Sequence, residues 1–288
     1  MAFYIGCPVW GQKTWVGNFF PKGTKPKEFL ATYSRRLNTV EGNTTFYALP
    51  DVATVERWRD ETPAGFRFCL KVPQSISHQQ RLVNVEAETN ALVDRLRRLQ
   101  DRCGPTLLQL PPTFSLKQFT TLESYLKAWP NDLRLAVEPR HADYFAEKGA
   151  VMLDAVLREL NMARCEFDTR GLRSVPPDAT TISGVAVREA QTRKPSFAPT
   201  FVCLSSVAFV RYCGHPQVEA NRPWLAEWAA HIAGWLRGDN DVYFFTHHPD
   251  DTFAPDVARL LHGLVRERVD IPALPEWGEP EDAQPTLF

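Results

Sequence analysis

The chain has 288 residues, 44% hydrophobic and 23% charged, with a formal net charge of -1. This is an ordinary globular composition, with room for one large domain or two small ones. Near-neutral charge excludes a global field that gathers nucleic acid or anionic membrane, so any anion recognition must be local. In chain order, short apolar runs predict strands over 3–7, 37–41, 66–71, 106–110, 133–138, 163–168, 207–213 and 242–246. Near-continuous apolar runs of this length are what parallel strands buried on both faces require. Helical patterns fall between them, over 25–36, 51–61, 85–103, 116–129, 147–160 and 223–237, with a last helix opened by Pro255. The third stops at Gly104, and the sixth opens on Pro223 and closes on Gly238. About eight alternations argue for a single closed (β/α)₈ TIM-type barrel over 1–270. An open doubly wound sheet is the alternative, but no Gly-rich phosphate fingerprint follows an early strand.

Two segments depart from the alternation. Residues 169–206 show no clear helix and are expected to form a mobile loop over the site, carrying Arg170, Arg173, Arg188, Arg193 and Lys194. From about 271 to 288 the chain is rich in proline and glutamate, and reads as an extended or disordered tail. The six cysteines form no Cys-x-x-Cys pair, which suits buried reduced thiols and a cytoplasmic protein. No signal peptide and no membrane span are expected, since 224–236 is too short and carries Glu227 and His231.

In such a barrel the active site forms at the C-terminal ends of the strands. Those ends deliver Trp10; Glu41 and Asn43; Lys71 and His78; Gln109; Glu138, Arg140 and His141; Glu166 and Asp168; Arg211 and His215; and His247, His248 and Asp250. A buried strand that stops on a carboxylate is unusual, because an unpaired buried charge is expensive. Two carboxylates, Glu41 and Glu138, among Lys71, Arg140 and Arg211 suit an anionic ligand, with arginine as a bidentate fork and lysine as a point charge. We therefore assign Glu41, Glu138, Lys71 and His78 as candidate catalytic residues, and Asn43, Gln109, Arg140, Arg211, Trp10 and His247 as candidate substrate contacts. A bland alternative is that the charged residues neutralise one another at the rim. No His-x-His or Glu-x-x-His pattern calls for a metal, and the sequence requires no cofactor. Trp10, Trp15, Phe19 and Phe20 alternate with Lys13, Lys22, Lys25 and Lys27, but packing of these rings is expected over base stacking.

The strand-end residues also carry a resemblance. Ile5-Gly6-Cys7-Pro8-Val9-Trp10, Val40-Glu41-Gly42-Asn43-Thr44-Thr45-Phe46-Tyr47, the run over 68–73 with His78, Gln109-Leu110-Pro111-Pro112 and Glu138-Pro139-Arg140-His141 occur in order. Together they resemble the domain of unknown function 72 family, also called YecE-like, over about residues 3–268. The resemblance implies a TIM-type barrel and a polar pocket containing Glu41, Asn43, Lys71, Gln109, Glu138, Arg140 and Arg211. It implies no reaction, since the family's activity is not established. Arg211-Tyr212-Cys213-Gly214 stands where many members have Arg-x-His-Gly, and Thr246-His247-His248 where many have Asn-Asn.

The chain ends on Gln284-Pro285-Thr286-Leu287-Phe288, which looks like the Gln-x-x-Leu-Phe form of the bacterial sliding-clamp-binding peptide. Gln284, Leu287 and Phe288 would be its partner contacts, with two apolar anchors filling a pocket on the clamp. The expected function is binding or processing of a phosphate-bearing substrate, a phosphate-ester hydrolase or lyase brought to DNA by the tail. One metal-free route uses Lys71 as a Schiff-base nucleophile toward a sugar aldehyde. The alternatives are a small-molecule sugar-phosphate isomerase, lyase or hydrolase, and a non-catalytic binding or adaptor protein.

Overall fold

The computed structural model describes residues 1–176 and 182–277. Its strands are β1 (Phe3–Cys7), β2 (Thr39–Gly42), β3 (Arg67–Leu70), β4 (Thr106–Gln109), β5 (Leu135–Glu138), β6 (Ala163–Asp168), β7 (Val207–Cys213) and β8 (Asp241–His247). All pair in parallel, in the order β3-β2-β1-β8-β7-β6-β5-β4. Single bridges, Phe68 with Cys103 and Lys71 with Leu107, span the remaining seam between β3 and β4. The result is a nearly closed (β/α)₈ barrel, as the alternation predicts. Gly6 allows β1 to approach β2, because a Cβ there would collide with the Thr39 carbonyl.

The helices are α1 (Phe29–Tyr33), α2 (Thr44–Tyr47), α3 (Val52–Glu61), α4 (Glu86–Arg98), α5 (Phe119–Ala128), α6 (Glu147–Glu159), α7 (Arg170–Arg173), α8 (Ile182–Arg193), α9 (Arg222–Arg237) and α10 (Ala254–Arg266). The expected helix over 25–36 is shorter than its pattern, a 3₁₀ turn at Pro26–Glu28 followed by α1. The expectation of no helix in 169–206 is wrong: α7 and α8 occupy that connection. Helix α8 escapes the periodicity argument because its buried side chains, among those described, are small. Val187 and Ala190 pack with Leu172 and Cys213, so no stripe of large apolar residues marks its inner face.

Trp15, Phe19 and Phe20 are fully buried, and Trp15 and Phe19 pack on Tyr33 of α1, so packing does hold the aromatic loop. Residues 271–277 carry no helix or strand. Trp277 is nonetheless buried, edge-on to Phe19 at 5.1 Å, with the Arg259 guanidinium 4.7 Å over its ring. Among the described residues no helix is long and apolar enough to cross a membrane.

Candidate functional site

Side chains alternate along a strand, so residues two apart share a face. Cys69, Leu107, Ala136, Cys165, Phe209 and Phe245 belong to one cluster that fills the barrel interior. Two positions further on lie Lys71, Gln109, Glu138, Phe167, Arg211 and His247. Glu41 follows Thr39, whose hydroxyl meets Cys69 Sγ at 3.8 Å inside the barrel. Period-2 geometry alone therefore turns these chains inward at the mouth.

Arg211 is the hub of a buried network. Its Nε donates to Glu41 Oε2 at 2.8 Å and its Nη2 to Glu41 Oε1 at 2.7 Å, a bidentate fork. Its Nη1 donates to Glu138 Oε2 at 2.5 Å. Glu138 Oε1 accepts from Arg140 Nη1 at 2.9 Å and from Gln109 Nε2 at 2.8 Å. Gln109 turns its Oε1 to Lys71 Nζ, which donates at 2.9 Å. Asn43 Nδ2 donates to Glu41 Oε1 at 2.8 Å and lies 3.1 Å from the Pro8 carbonyl. His247 Nε2 lies 3.4 Å from Glu41 Oε2.

Aromatic rings frame the cations. Phe167 sits 4.4 Å from the Arg211 guanidinium and 5.5 Å from Lys194 Nζ. Phe46 sits 4.0 Å from Lys71 Nζ and meets His78 edge-on at 5.0 Å. His78 lies on a single π-helical turn, Ser75–Gln79, with its Nδ1 2.8 Å from Ser77 Oγ. The chain after α8 reaches the mouth from one side: Arg140 Nη2 donates to the Arg193 carbonyl at 2.8 Å, and Phe197 stacks on Phe145 at 3.8 Å.

The charges respond to this setting. Burial pushes the Glu138 carboxyl up, but Arg211, Arg140 and Lys71 outweigh it and hold the group at about 2. Glu41 is lowered in the same way, burial being overcome by Arg211 and His247. Burial, followed by the Arg211 charge, pulls the Lys71 ammonium down to about 8. Burial, followed by Lys71 and Arg140, pulls His78 down to about 4. Both glutamates are therefore firmly ionised and fixed in ion pairs, which suits charge balance better than proton transfer. Lys71, Arg140 and Arg211 against two carboxylates leave one positive charge in excess. Among the described residues Lys71 has no carboxylate partner, and its contacts are the Gln109 amide oxygen and the Phe46 ring.

Glu41, Asn43, Lys71, Gln109, Glu138, Arg140, Arg211 and His247 thus converge, and His78 adjoins them through Phe46. Trp10 does not join them; it packs edge-on against Trp58 at 5.1 Å and Phe68 at 6.1 Å. Strand parity sends Glu166 and Asp168 to the opposite face. Asp168 accepts from Trp228 Nε1 at 2.8 Å and pairs with Arg170, while Glu166 accepts from Thr200. His141 and His215 accept backbone N–H groups two residues on, and His248 lies between Asp250 and the Pro216 carbonyl. Among the described residues no group of three His, Cys, Asp or Glu could hold a metal ion. Gln284, Leu287 and Phe288 lie outside the described residues. Phe46, Phe167 and Lys194 are mouth residues the sequence reading did not assign. Period-2 alternation after Cys165 would have found Phe167; Lys194 lies on the segment expected over the site, and nothing local marks Phe46.

A family profile described as "Protein of unknown function DUF72" matches residues 4–281. The chain belongs to the DUF72 family. Among curated DUF72-type relatives, it is 32% identical over 278 residues to the UPF0759 protein YecE of Escherichia coli K12, covering 95% of this chain and 97% of that protein. It is 27% identical over 154 residues to the UPF0759 protein YunF of Bacillus subtilis, covering 50% and 52%. Solved DUF72 proteins share the fold. The one from Thermotoga maritima has a TM-score of 0.69 at 20% identity, covering 93% of this chain and 98% of that one. The one from Enterococcus faecalis has a TM-score of 0.68 at 14% identity, covering 97% and 99%.

Proposed function

We propose that the barrel mouth binds and processes a phosphate-bearing substrate, with Lys71 as the reacting amine. One observation carries this reading: Lys71 is buried in a cluster with excess positive charge, yet among the described residues only neutral groups contact its ammonium. A desolvated amine beside other cations is the arrangement that makes lysine a nucleophile near neutral pH. The remaining positive charge favours a substrate that brings its own anion, and phosphate is one of the anions that arginine and lysine recognise.

The neutral Nζ attacks a sugar aldehyde carbon and forms a C–N bond as the C=O bond breaks. The carbonyl oxygen leaves as water with both Nζ hydrogens, and one proton taken up from solvent gives the product iminium its positive charge. Glu41 and Glu138 balance that charge within the network. His78, neutral at physiological pH and sharing the Phe46 ring with Lys71, is the candidate proton carrier. The C-terminal Gln284, Leu287 and Phe288 make nucleic acid the favoured source of the phosphate, with the sliding clamp as the partner that delivers the protein. We expect borohydride to trap a covalent adduct on abasic DNA, mapped to Lys71 by mass spectrometry and lost in Lys71→Arg. No adduct with folded wild type, or an adduct unchanged in Lys71→Arg, sinks the reading.

A second reading takes a small phosphorylated sugar. The tightness of the mouth favours it, since Lys71 is only 7% exposed and Glu138 1%. Removing 278–288, which keeps the buried Trp277, separates the two. Trapping on a small phosphorylated aldehyde that persists while clamp capture never occurs supports the metabolic alternative.

A further inference from the structure

Five large hydrophobic side chains are exposed among the described residues: Met1, Tyr47, Val83, Val151 and Phe253. The two aromatic ones, Tyr47 and Phe253, both lie on connections that leave the mouth ends of strands. An isolated exposed apolar residue is ordinary. Tyr47 differs in what holds it. It closes the one-turn helix α2, and Thr45 of that turn pins it to the backbone of Lys71 itself. Thr45 Oγ1 lies 2.6 Å from the Lys71 carbonyl and 3.1 Å from the Lys71 amide. The turn places Phe46 at 4.0 Å from Lys71 Nζ and leaves Tyr47 edge-to-face with Phe46 at 5.2 Å. The Tyr47 side chain stays 74% exposed, so most of its ring surface meets solvent. One aromatic ring therefore separates the ammonium from a free aromatic platform on a rigid mount.

We propose that Tyr47 stacks on the base of a nucleotide unit whose phosphate is held by the cationic mouth beside Lys71, an inference that rests on the phosphate-site proposal. In a nucleotide one sugar ring separates the phosphate from the base, and here one aromatic ring, Phe46, lies between the cationic mouth and Tyr47. Every base offers a π-face, so the platform is tolerant of sequence and selects base-bearing phosphates over plain sugar phosphates.

Fluorescence anisotropy with two dye-labelled single strands of equal length tests it. One is a thymidine oligomer, and the other is the same sugar-phosphate backbone without bases. Tyr47→Ala weakens binding of the base-bearing strand by roughly tenfold to a hundredfold. It leaves the baseless strand unchanged, and Tyr47→Phe keeps wild-type affinity for both. Equal loss on both strands assigns Tyr47 to the sugar and overturns the proposal. Unchanged binding in Tyr47→Ala overturns it too, as does a wild type that binds neither strand. Because Lys71 trapping on a small phosphorylated aldehyde does not involve Tyr47, a failed stacking test with persistent trapping leaves the amine reading intact.

Discussion

Two pairs of buried carboxylates lie near the strand ends, and they have opposite fates. Glu41 and Glu138 point into the barrel, where Arg211 joins them and three cations face two anions. Glu166 and Asp168 point outward, where Thr200, Arg170 and the Trp228 indole satisfy them one by one. The residue types and the burial are alike. Parity along the strand is what differs, and it separates a shared, over-charged network from closed local clamps. A strand-end acid is thus evidence of a site only when its alternation turns it toward the axis.

The sharpest break in that comparison is Glu138→Gln. Removing one partner of a buried ion network leaves uncompensated charge and typically costs about 3–5 kcal/mol. Asp168→Asn keeps the hydrogen-bonding shape and loses one partly exposed ion pair, so the expected loss is smaller, about 1–2 kcal/mol. Urea unfolding of both variants checks the order, and an equal or greater loss in Asp168→Asn would mean that the mouth is not a coupled network.

The acid limb comes next in size. Glu138 has its pKa lowered from 4.5 to about 2. Its stabilisation is complete above the unfolded value and is lost as pH falls from about 4.5 toward 2, by on the order of 3 kcal/mol. Glu166 has its pKa raised, mainly by burial, so the sign reverses. Its contribution is full below the unfolded value and falls as pH rises through the folded one. Thermal unfolding against pH should show Glu138→Gln flattening the acid decline and Glu166→Gln removing a decline at higher pH. Parallel shifts in the two variants would contradict these opposite signs.

The smallest expected effect is a gain. Lys71 is buried without an ion pair among the described residues and held near 8 rather than 10.5, so its charged form opposes folding below that pH. Lys71→Met leaves Arg140 and Arg211 matched to Glu41 and Glu138. It should stabilise the protein by about 1–2 kcal/mol at neutral pH, with the advantage shrinking as pH rises from 8 to 10.5. Chemical denaturation at pH 7 and pH 10 reads this directly. A destabilised Lys71→Met would make Lys71 a structural counter-ion rather than a strained functional amine.

Much of the barrel was legible because strands buried on both faces must be nearly continuous apolar runs; 3–7, 163–168 and 207–213 coincide with β1, β6 and β7. Helix α8 was not legible, since small residues such as Ala190 can line a buried helix face without a visible stripe. Within the candidate site, the charged strand-end residues stood out as exceptions to apolar strand composition. Phe46 and Lys194 did not, because a ring or a lysine on a loop looks the same whether it faces solvent or a neighbour's charge.

By itself the sequence determined the fold class, because burial on both faces and period-2 alternation are local constraints written residue by residue; the family followed from the resemblance of its ordered strand-end motifs. Only the tertiary structure decided which charges share one volume. Arg211 meets Glu41 across 170 residues of chain and Glu138 across 73. It also decided that Trp10 packs away from the mouth and that Lys71, among the described residues, is left without a carboxylate. Such pairings depend on distances through space between strands that closure of the barrel brings together, and no local pattern encodes them.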